Sequence, residues 1–472
     1  MTDTVIIDHV VVLMLENRSF DHMLGYLYPA SGGFNGVKGM EDYYFNYANP
    51  LDPNSPRYNV NPNARSKDLN KDSGHDFRDV HEQLFGMPLG EGGVPTPPQN
   101  GGFVANYARK NAGAGPRIMN CFNPETLPIL SRLAAEFGVC DHWYSSTPGP
   151  TWPNRVFVHT GSSDGRVDNK YRLYDNETVF NQLQHSGKTW SFYMDGHVTQ
   201  AMALKRLWSW KQFAFLRLHA FKALAASGKL PNYSFVEPRF FRADGFKAPT
   251  DQHPPHDVQR GEQLIADVYK AIRLGPAWER TLFIVTYDEH GGTYDHDFPP
   301  TAVPPGVESK DPPFKFDRYG VRVPAVVVSP YIERNTVVST VFDHTSIIAT
   351  VRRIFGIAGW LTPRDAAATP VDSCLNRLTP RTDAPPDIRD LVAAPEKVAA
   401  LRAMADAEDS PGEPTIALND YQEQLLAMSR DLAPRPPGTL SAKAEEVALP
   451  LEMTEDIASR EVEDNVRAFL ES

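Results

Sequence analysis

Two apolar runs dominate the chain, and they end alike. Residues 5–15, VIIDHVVVLML, and residues 281–287, TLFIVTY, are β-branched and nearly continuous rather than alternating. That is the pattern of strands covered on both faces, as in a parallel sheet. The first run leads straight into Glu16-Asn17; the second leads into Asp288-Glu289-His290, then Gly291-Gly292, then Asp295-His296. Buried strands that release carboxylates and imidazoles into turns at their carboxyl ends are how α/β enzymes present a site. Further strands are predicted over 188–195 and 321–331.

Helical signals fall between the strands. Ser19 is placed to cap a short helix reaching Leu27, and SGHDF at 73–77 introduces a helix of sequence DFRDVHEQLF. Leu127, Leu130, Leu133 and Phe137 give residues 125–139 an amphipathic helical period. WPNRVFVHTG, GEQLIADVYKAIRLG and IIATVRRIFG read as three more helices, while most of 29–115 is Gly-, Pro-, Asn- and Asp-rich and reads as loops. Residues 205–222, KRLWSWKQFAFLRLHAFK, interleave aromatic and basic side chains, a pattern that fits a helix packed in its own domain or one lying on a lipid surface. Repeated strand–turn–helix order predicts an α/β fold with a central, mainly parallel β-sheet flanked by helices. After about residue 375 the texture changes to short proline-broken helices (386–405, 418–432, 441–448, 453–471), with a linker at 433–440. The predicted division is a catalytic domain over 1–375 and a helical accessory region over 376–472.

Composition narrows the function classes. A formal charge of −12 over 472 residues provides no basic excess for phosphate backbones, which argues against nucleic-acid binding. The three cysteines, Cys121, Cys140 and Cys374, form no disulfide framework and have no zinc spacing. The first residues carry no basic stretch ahead of the apolar run and no small-residue cleavage site after it, so a strand is expected there rather than a secretion signal. The expected location is cytoplasmic, with export by a signal-independent route as the alternative.

The chemistry concentrates where the apolar runs stop. Asp288, Glu289 and Asp295 beside His290 and His296 would repel one another unless a positive charge sat among them, and a divalent cation supplies it economically. The bland alternative is a solvated polar turn. In SSTPGPTWPNR, prolines and glycine stiffen a turn before Thr151, which stands where a helix would be capped. Helix N-termini direct N–H groups at anions, and a hydroxyl there is equally well set for nucleophilic attack or for capping alone. His75 stands at a loop-to-helix entry, and His253 and His256 precede another helix.

HVVVLMLENRSFDHMLGYL, SGHDF, TPGPTWPNR, DQHPPHDV, TYDEHGGTYDH and VPAVVVSPYI, in that order, resemble the bacterial phosphoesterase family of phosphatidylcholine-type phospholipases C and related acid phosphatases. The resemblance spans residues 5–350. It implies an alkaline-phosphatase-like fold and a metal-assisted hydroxyl nucleophile. It further implies that Glu16, Asn17, Asp288 and Glu289 hold one divalent cation (Mg²⁺, Ca²⁺, Mn²⁺ or Zn²⁺) and that Thr151 is the nucleophile. Asn17 and Asn154 would donate to phosphate oxygens, and His75, His253 and His197 would steady the phosphoryl group. Threonine stands where family phosphatases carry serine, as in the phospholipase-like members. The expected substrate is a phosphatidylcholine-type phospholipid or a small phosphoester, with peripheral membrane contact. Three readings compete: a phosphoesterase with a covalent phosphothreonine, a metallo-hydrolase in which Thr151 only caps, and a non-catalytic lipid- or phosphate-binding protein. Acid phosphatase activity on monoesters is the alternative within the first.

Overall fold

The computed structural model describes residues 5–30, 32–69, 71–90, 100–242, 247–392, 417–434 and 453–472. Its centre is an eight-stranded sheet made of β1 (His9–Leu15), β2 (Gly138–Cys140), β3 (Trp190–Met194), β4 (Phe215–Arg217), β5 (Tyr233–Glu237), β6 (Thr281–Tyr287), β7 (Ala325–Val328) and β8 (Thr336–Val338). The spatial order is β8-β2-β7-β6-β1-β5-β3-β4. The helices that matter for the site and its supports are α1 (Phe20–Leu24), α2 (Phe77–Phe85), α3 (Pro128–Glu136), α4 (Thr151–Thr160), α5 (Val258–Leu274), α6 (Thr345–Phe355), α7 (Asp420–Leu432) and α8 (Glu455–Glu471).

β1 and β6 are buried at every residue, which is why their sequences are continuous rather than alternating. They pair in parallel and in register from His9–Thr281 to Leu15–Tyr287. That register is the structural step on which the site depends. Because both strands stop at the same level, Glu16 and Asn17 emerge beside Asp288 and Glu289, although 271 residues separate Asn17 from Asp288. β5 runs parallel to β1 on its other side, with Leu13 opposite Val236, and delivers Glu237 to the same edge.

The mainly parallel α/β architecture predicted from the apolar runs is what the structure has. β7 runs antiparallel to both β6 and β2, so of the predicted strand over 321–331 the N-terminal end, not the C-terminal end, faces the carboxyl ends of β1 and β6. The predicted 125–139 helix stops at Glu136, and Gly138 begins β2. The 205–222 segment is not one helix. A 3₁₀ stretch Lys205–Trp210 and a short helix Lys211–Ala214 lead into β4, the edge strand, before a helix Leu218–Ala226. Of its aromatic residues, Phe213 is 75% exposed while Trp208 packs on Phe469. No described helix is long and apolar enough to cross a membrane.

Two of the predicted C-terminal helices are present as α7 and α8, which pack on each other. Tyr421, Leu425, Leu426, Val462 and Phe469 are buried in the same apolar core as the sheet. The predicted helix over 441–448, most of 386–405 and most of the 433–440 linker lie outside the described residues.

Candidate active site

At the end of β1 the backbone takes a left-handed step, with φ at 56° for Asn17. Asparagine tolerates this conformation better than most residues. The step lets the Asn17 N–H donate to Asp288 Oδ1 at 3.1 Å and the Arg18 N–H donate to the Glu289 carbonyl at 3.0 Å. On the opposing side Gly291 must be glycine: its φ is 59°, and a Cβ there would stand 2.2 Å from the Asn17 carbonyl oxygen. The glycine turn expected after Glu289 therefore exists to let two strand ends close on each other.

α4 presents the hydroxyl. Thr151 is its first residue, and Pro150 occupies the capping position and makes no side-chain capping bond. Thr151 Oγ1 instead donates to Asn17 Oδ1 at 3.3 Å and is fully buried. The capping role that competed for this residue is thus not what its hydroxyl does. One turn on, Arg155 is the buried hub. Its Nε lies 3.1 Å from Asp288 Oδ2, its Nη1 donates to Glu237 Oε1 at 2.9 Å, and its Nη2 donates to the Leu15 carbonyl at 3.2 Å. Nη2 also stands 3.2 Å from Glu16 Oε1, an ion pair without hydrogen-bond alignment.

The carboxylates outnumber this guanidinium. Glu16 Oε1 and Oε2, Glu237 Oε2 and Glu289 Oε1 are buried and accept no hydrogen bond. Burial pushes Glu16 well above the usual carboxylate range; Arg155 opposes it, and the charges of Asp288, Asp251 and Glu237 reinforce it. Glu289 is raised chiefly by burial, with His75 opposing and Asp288 adding. Orphaned buried oxygens of this kind cost several kcal/mol unless something positive meets them. The oxygen-rich set Glu16, Asn17, Asp288, Glu289 with Thr151 alongside fits a hard divalent cation.

The remaining sequence-predicted residues are distributed as follows. Asn154 points into the turn before α4: its Oδ1 accepts from the Thr147 N–H at 3.0 Å, and its Nδ2 donates to the carbonyls of Thr147, Gly149 and Pro150. It braces the turn that holds Thr151. His75 and His253 face each other with ring centroids 6.0 Å apart, beside Asp72 and Asp420. Burial alone would depress His75, but Asp72, Asp420 and Glu289 outweigh it and hold the ring well above the usual histidine range. His197 follows β3 and is held by Arg217, 2.6 Å from its Nδ1, and by Glu463 of α8, both outside the Thr151 cluster. Asp295 and His296 belong to a separate network around Arg322. His290 lies 2.8 Å from Gln83 through Nε2 and is depressed to about 3, first by burial and then by His75.

Sequence reading assigned no role to Arg155, Glu237 or Asp420. Arg155 was readable in principle, since it lies four residues from Thr151 on one helix face. Glu237 carried the same signature as Glu16, an acid ending a buried strand, within a segment without a strand prediction. Asp420 opens a helix at the far end of the chain and carried no local signal.

The sequence profile of the Phosphoesterase family matches residues 7–358. Non-specific phospholipase C3 of Arabidopsis thaliana is 39% identical over 88% of this chain and 80% of its own length. Phospholipase C A of Mycobacterium tuberculosis is 27% identical over 81% of this chain and 79% of its own length. A solved structure from the alkaline phosphatase superfamily of Vibrio parahaemolyticus aligns with a TM-score of 0.34 and 14% identity, over 52% of this chain and 65% of that one.

Proposed function

The chain belongs to the phosphoesterase family and is a phosphoric ester hydrolase, and from that premise we propose that it is a phospholipase C that cleaves the phosphodiester of phosphatidylcholine-type lipids through Thr151. The observation that carries the reading is the hydroxyl itself. It sits at the first residue of a buried helix, bonded to Asn17 rather than used as a cap, where two strand ends bring four oxygen-bearing side chains together. The phospholipase C names of the relatives support the substrate class.

In this reading Glu16, Asn17, Asp288 and Glu289 hold a divalent cation, which when bound lowers the pKa of the neighbouring hydroxyl and offsets phosphate charge. The chain's own residues do the rest. Arg155 fixes Asp288 and Glu237 through separate nitrogens, and so sets the geometry of the strand ends. Asn154 stiffens the turn so that Thr151 Oγ1 keeps its position. The Thr151 N–H at the start of α4 and the Asn17 amide, whose Nδ2 is buried without a partner, orient the phosphate oxygens. His75 and His253 stand on the other side of the cluster and steady the phosphoryl group from there. Thr151 Oγ1 bonds to phosphorus as the bond to the diacylglycerol oxygen breaks, the proton lost by the hydroxyl ends on that leaving oxygen, and water later cleaves the phosphothreonine to release the phosphorylated headgroup and restore the hydroxyl. Contact with a lipid surface belongs to the same reading, and exposed Phe213 in the basic segment is the side chain placed for it.

Two measurements test this. Phosphorylcholine release from phosphatidylcholine is compared with phosphate release from an aryl monoester on one sample across pH. Rapid monoester turnover at acidic pH with no action on lipid would overturn the substrate and favour the acid phosphatase alternative. Thr151→Val, which keeps volume and branching, is expected to lose at least about a thousandfold in turnover. A loss of only a few-fold would mean that water attacks directly.

A further inference from the structure

Beside the oxygen-only site lies a second cluster of different chemistry. Asp72, His75, His253 and Asp420 each place a ligating atom within 4.8 Å of the others. They come from the loop before α2, the turn before α5 and the first residue of α7. His75 Nδ1 is 2.9 Å from the Ser73 carbonyl oxygen, and His253 Nδ1 is 2.5 Å from that of Pro254. A carbonyl only accepts, so each Nδ1 carries a proton and each ring turns its Nε2 inward. What the two Nε2 atoms meet are carboxylate oxygens. His75 Nε2 faces Asp420 Oδ2 at 3.3 Å, and His253 Nε2 faces Asp72 Oδ1 at 4.0 Å. His253 is 0% exposed, and its Nε2 has no hydrogen-bond partner; Asp72 Oδ1 and Asp420 Oδ1 are likewise buried and unpartnered. Adding a proton to His75 relieves the first contact and leaves the second as acceptor against acceptor. One divalent cation relieves both. Metal-ligating histidines characteristically spend the other ring nitrogen on a carbonyl, as both do here.

We propose that Asp72, His75, His253 and Asp420 bind a second divalent cation, of the borderline class that accepts imidazole (Zn²⁺ or Mn²⁺), distinct from the hard-cation site at Glu16 and Asp288. Two nitrogen and two carboxylate ligands set this preference, whereas the first site offers oxygens alone. The site joins the C-terminal region to the nucleophile. Asp420 also accepts from Asn169 Nδ2 at 2.5 Å, and Asn169 Oδ1 accepts from the Trp152 N–H at 3.0 Å, in the first turn of α4 next to Thr151. The cation therefore holds α7 against the turn that presents the hydroxyl. For the part that rests on the phospholipase reading, it is the source of the positive charge on the His75–His253 side.

The test reads metal rather than turnover, so it stands even where the substrate assignment fails. Chelator-stripped full-length protein is titrated with Zn²⁺ and, separately, with Co²⁺ as a coloured substitute, and bound metal is counted after gel filtration. Wild type is expected to retain two equivalents. His253→Gln and the shape-conserving Asp420→Asn should each retain one, with native circular dichroism. Glu16→Gln should also retain one, while keeping the visible Co²⁺ band of an imidazole-ligated ion. One equivalent in wild type, two in both His253→Gln and Asp420→Asn, or loss of the Co²⁺ band in Glu16→Gln would each overturn the proposal. Asp72→Asn, at a half-buried residue, gives the same reading should His253→Gln fail to fold. Two equivalents with no action on phosphoesters would leave this site standing and remove the proposed function.

Discussion

Arg155 and Arg322 are both buried among carboxylates, and their surroundings differ in one respect. Around Arg322 everything closes. Its Nε donates to Asp295 Oδ1 at 2.9 Å and its Nη2 to Asp21 Oδ1 at 3.0 Å, and its Nη1 donates to the carbonyls of Asn35 and Asp141. The remaining oxygens are also used: Asp21 Oδ2 accepts from His296 Nδ1 at 2.6 Å, and Asp295 Oδ2 accepts from the Asp21 N–H at 3.1 Å. Asp21, Asp295 and His296 have the composition and proximity of a metal site, but the guanidinium occupies that place. Around Arg155 the ledger stays open, with Glu16, Glu237 and Glu289 oxygens and the Asn17 amide unsatisfied in the interior. Buried acids whose lone pairs are all met are architecture; buried acids left unmet are poised for a partner from outside. Glu16 and Asp21 show the difference in titration. Burial raises Glu16 against Arg155, while at Asp21 His296 and Arg322 outweigh burial and lower it, although burial still raises the neighbouring Asp295 to about 7.

The largest effect that would break this contrast is at the closed cluster. Arg322→Met strands two buried carboxylates and should cost about 3–5 kcal/mol of stability by chemical denaturation. Turnover per folded molecule should stay within a few-fold of wild type. A variant that is stable but inactive would place Arg322 in the catalytic machinery and dissolve the distinction. The open cluster should answer in the opposite sense. Glu16→Gln keeps shape and removes a charge whose oxygens accept no hydrogen bond, so metal-free protein should lose no stability, while turnover falls about a hundredfold as cation affinity drops. If the metal-free variant melts well below metal-free wild type, Glu16 is structural after all.

These contrasts also show what the chain made legible. β1 and β6 were readable because burial on both faces leaves an unmistakable apolar run, and the acids that end them marked the site from both sides. Register was not readable: only pairing tells that Leu15 stands opposite Tyr287 and therefore that Glu16 meets Asp288. Within TYDEHGGTYDH, the local pattern treats Asp288-Glu289 and Asp295-His296 alike. What separates them is Arg322, an isolated arginine before β7 whose reach into the Asp21 network is a tertiary fact. The antiparallel course of β7 was equally hidden, since a buried strand has the same composition in either direction. Thr151 was found by its motif, but only the Asn17 contact tells that its hydroxyl turns to the end of β1 instead of capping α4. Asp420 shows the limit most plainly, because a charged residue at a helix start is ordinary until the fold brings it beside His75.

The smallest effect reads the electrostatics of α4 itself. His159 lies two turns after Thr151, buried against Phe180, Phe192 and Phe235 with ring centroids 5.3, 5.3 and 4.7 Å away. Its Nδ1 has no partner, and its pKa is depressed to about 3, first by burial, then by the positive charge of Arg155, with His344 adding. The folded value lies below the ordinary 6.5 of an unfolded histidine, so between those limits the unfolded chain binds a proton that the native chain refuses. Stability therefore falls as pH drops below 6.5, by on the order of 1.4 kcal/mol per pH unit from this group; above 6.5 both states are neutral and the contribution is flat. His159→Phe keeps an aromatic ring among the three phenylalanines and removes the proton. Urea denaturation at pH 7 and at pH 5 should show wild type losing about 2 kcal/mol more than the variant over that interval. Parallel losses would mean that His159 already carries a proton in the native state, next to the arginine that organises the open cluster, and that α4 tolerates more positive charge than its burial allows.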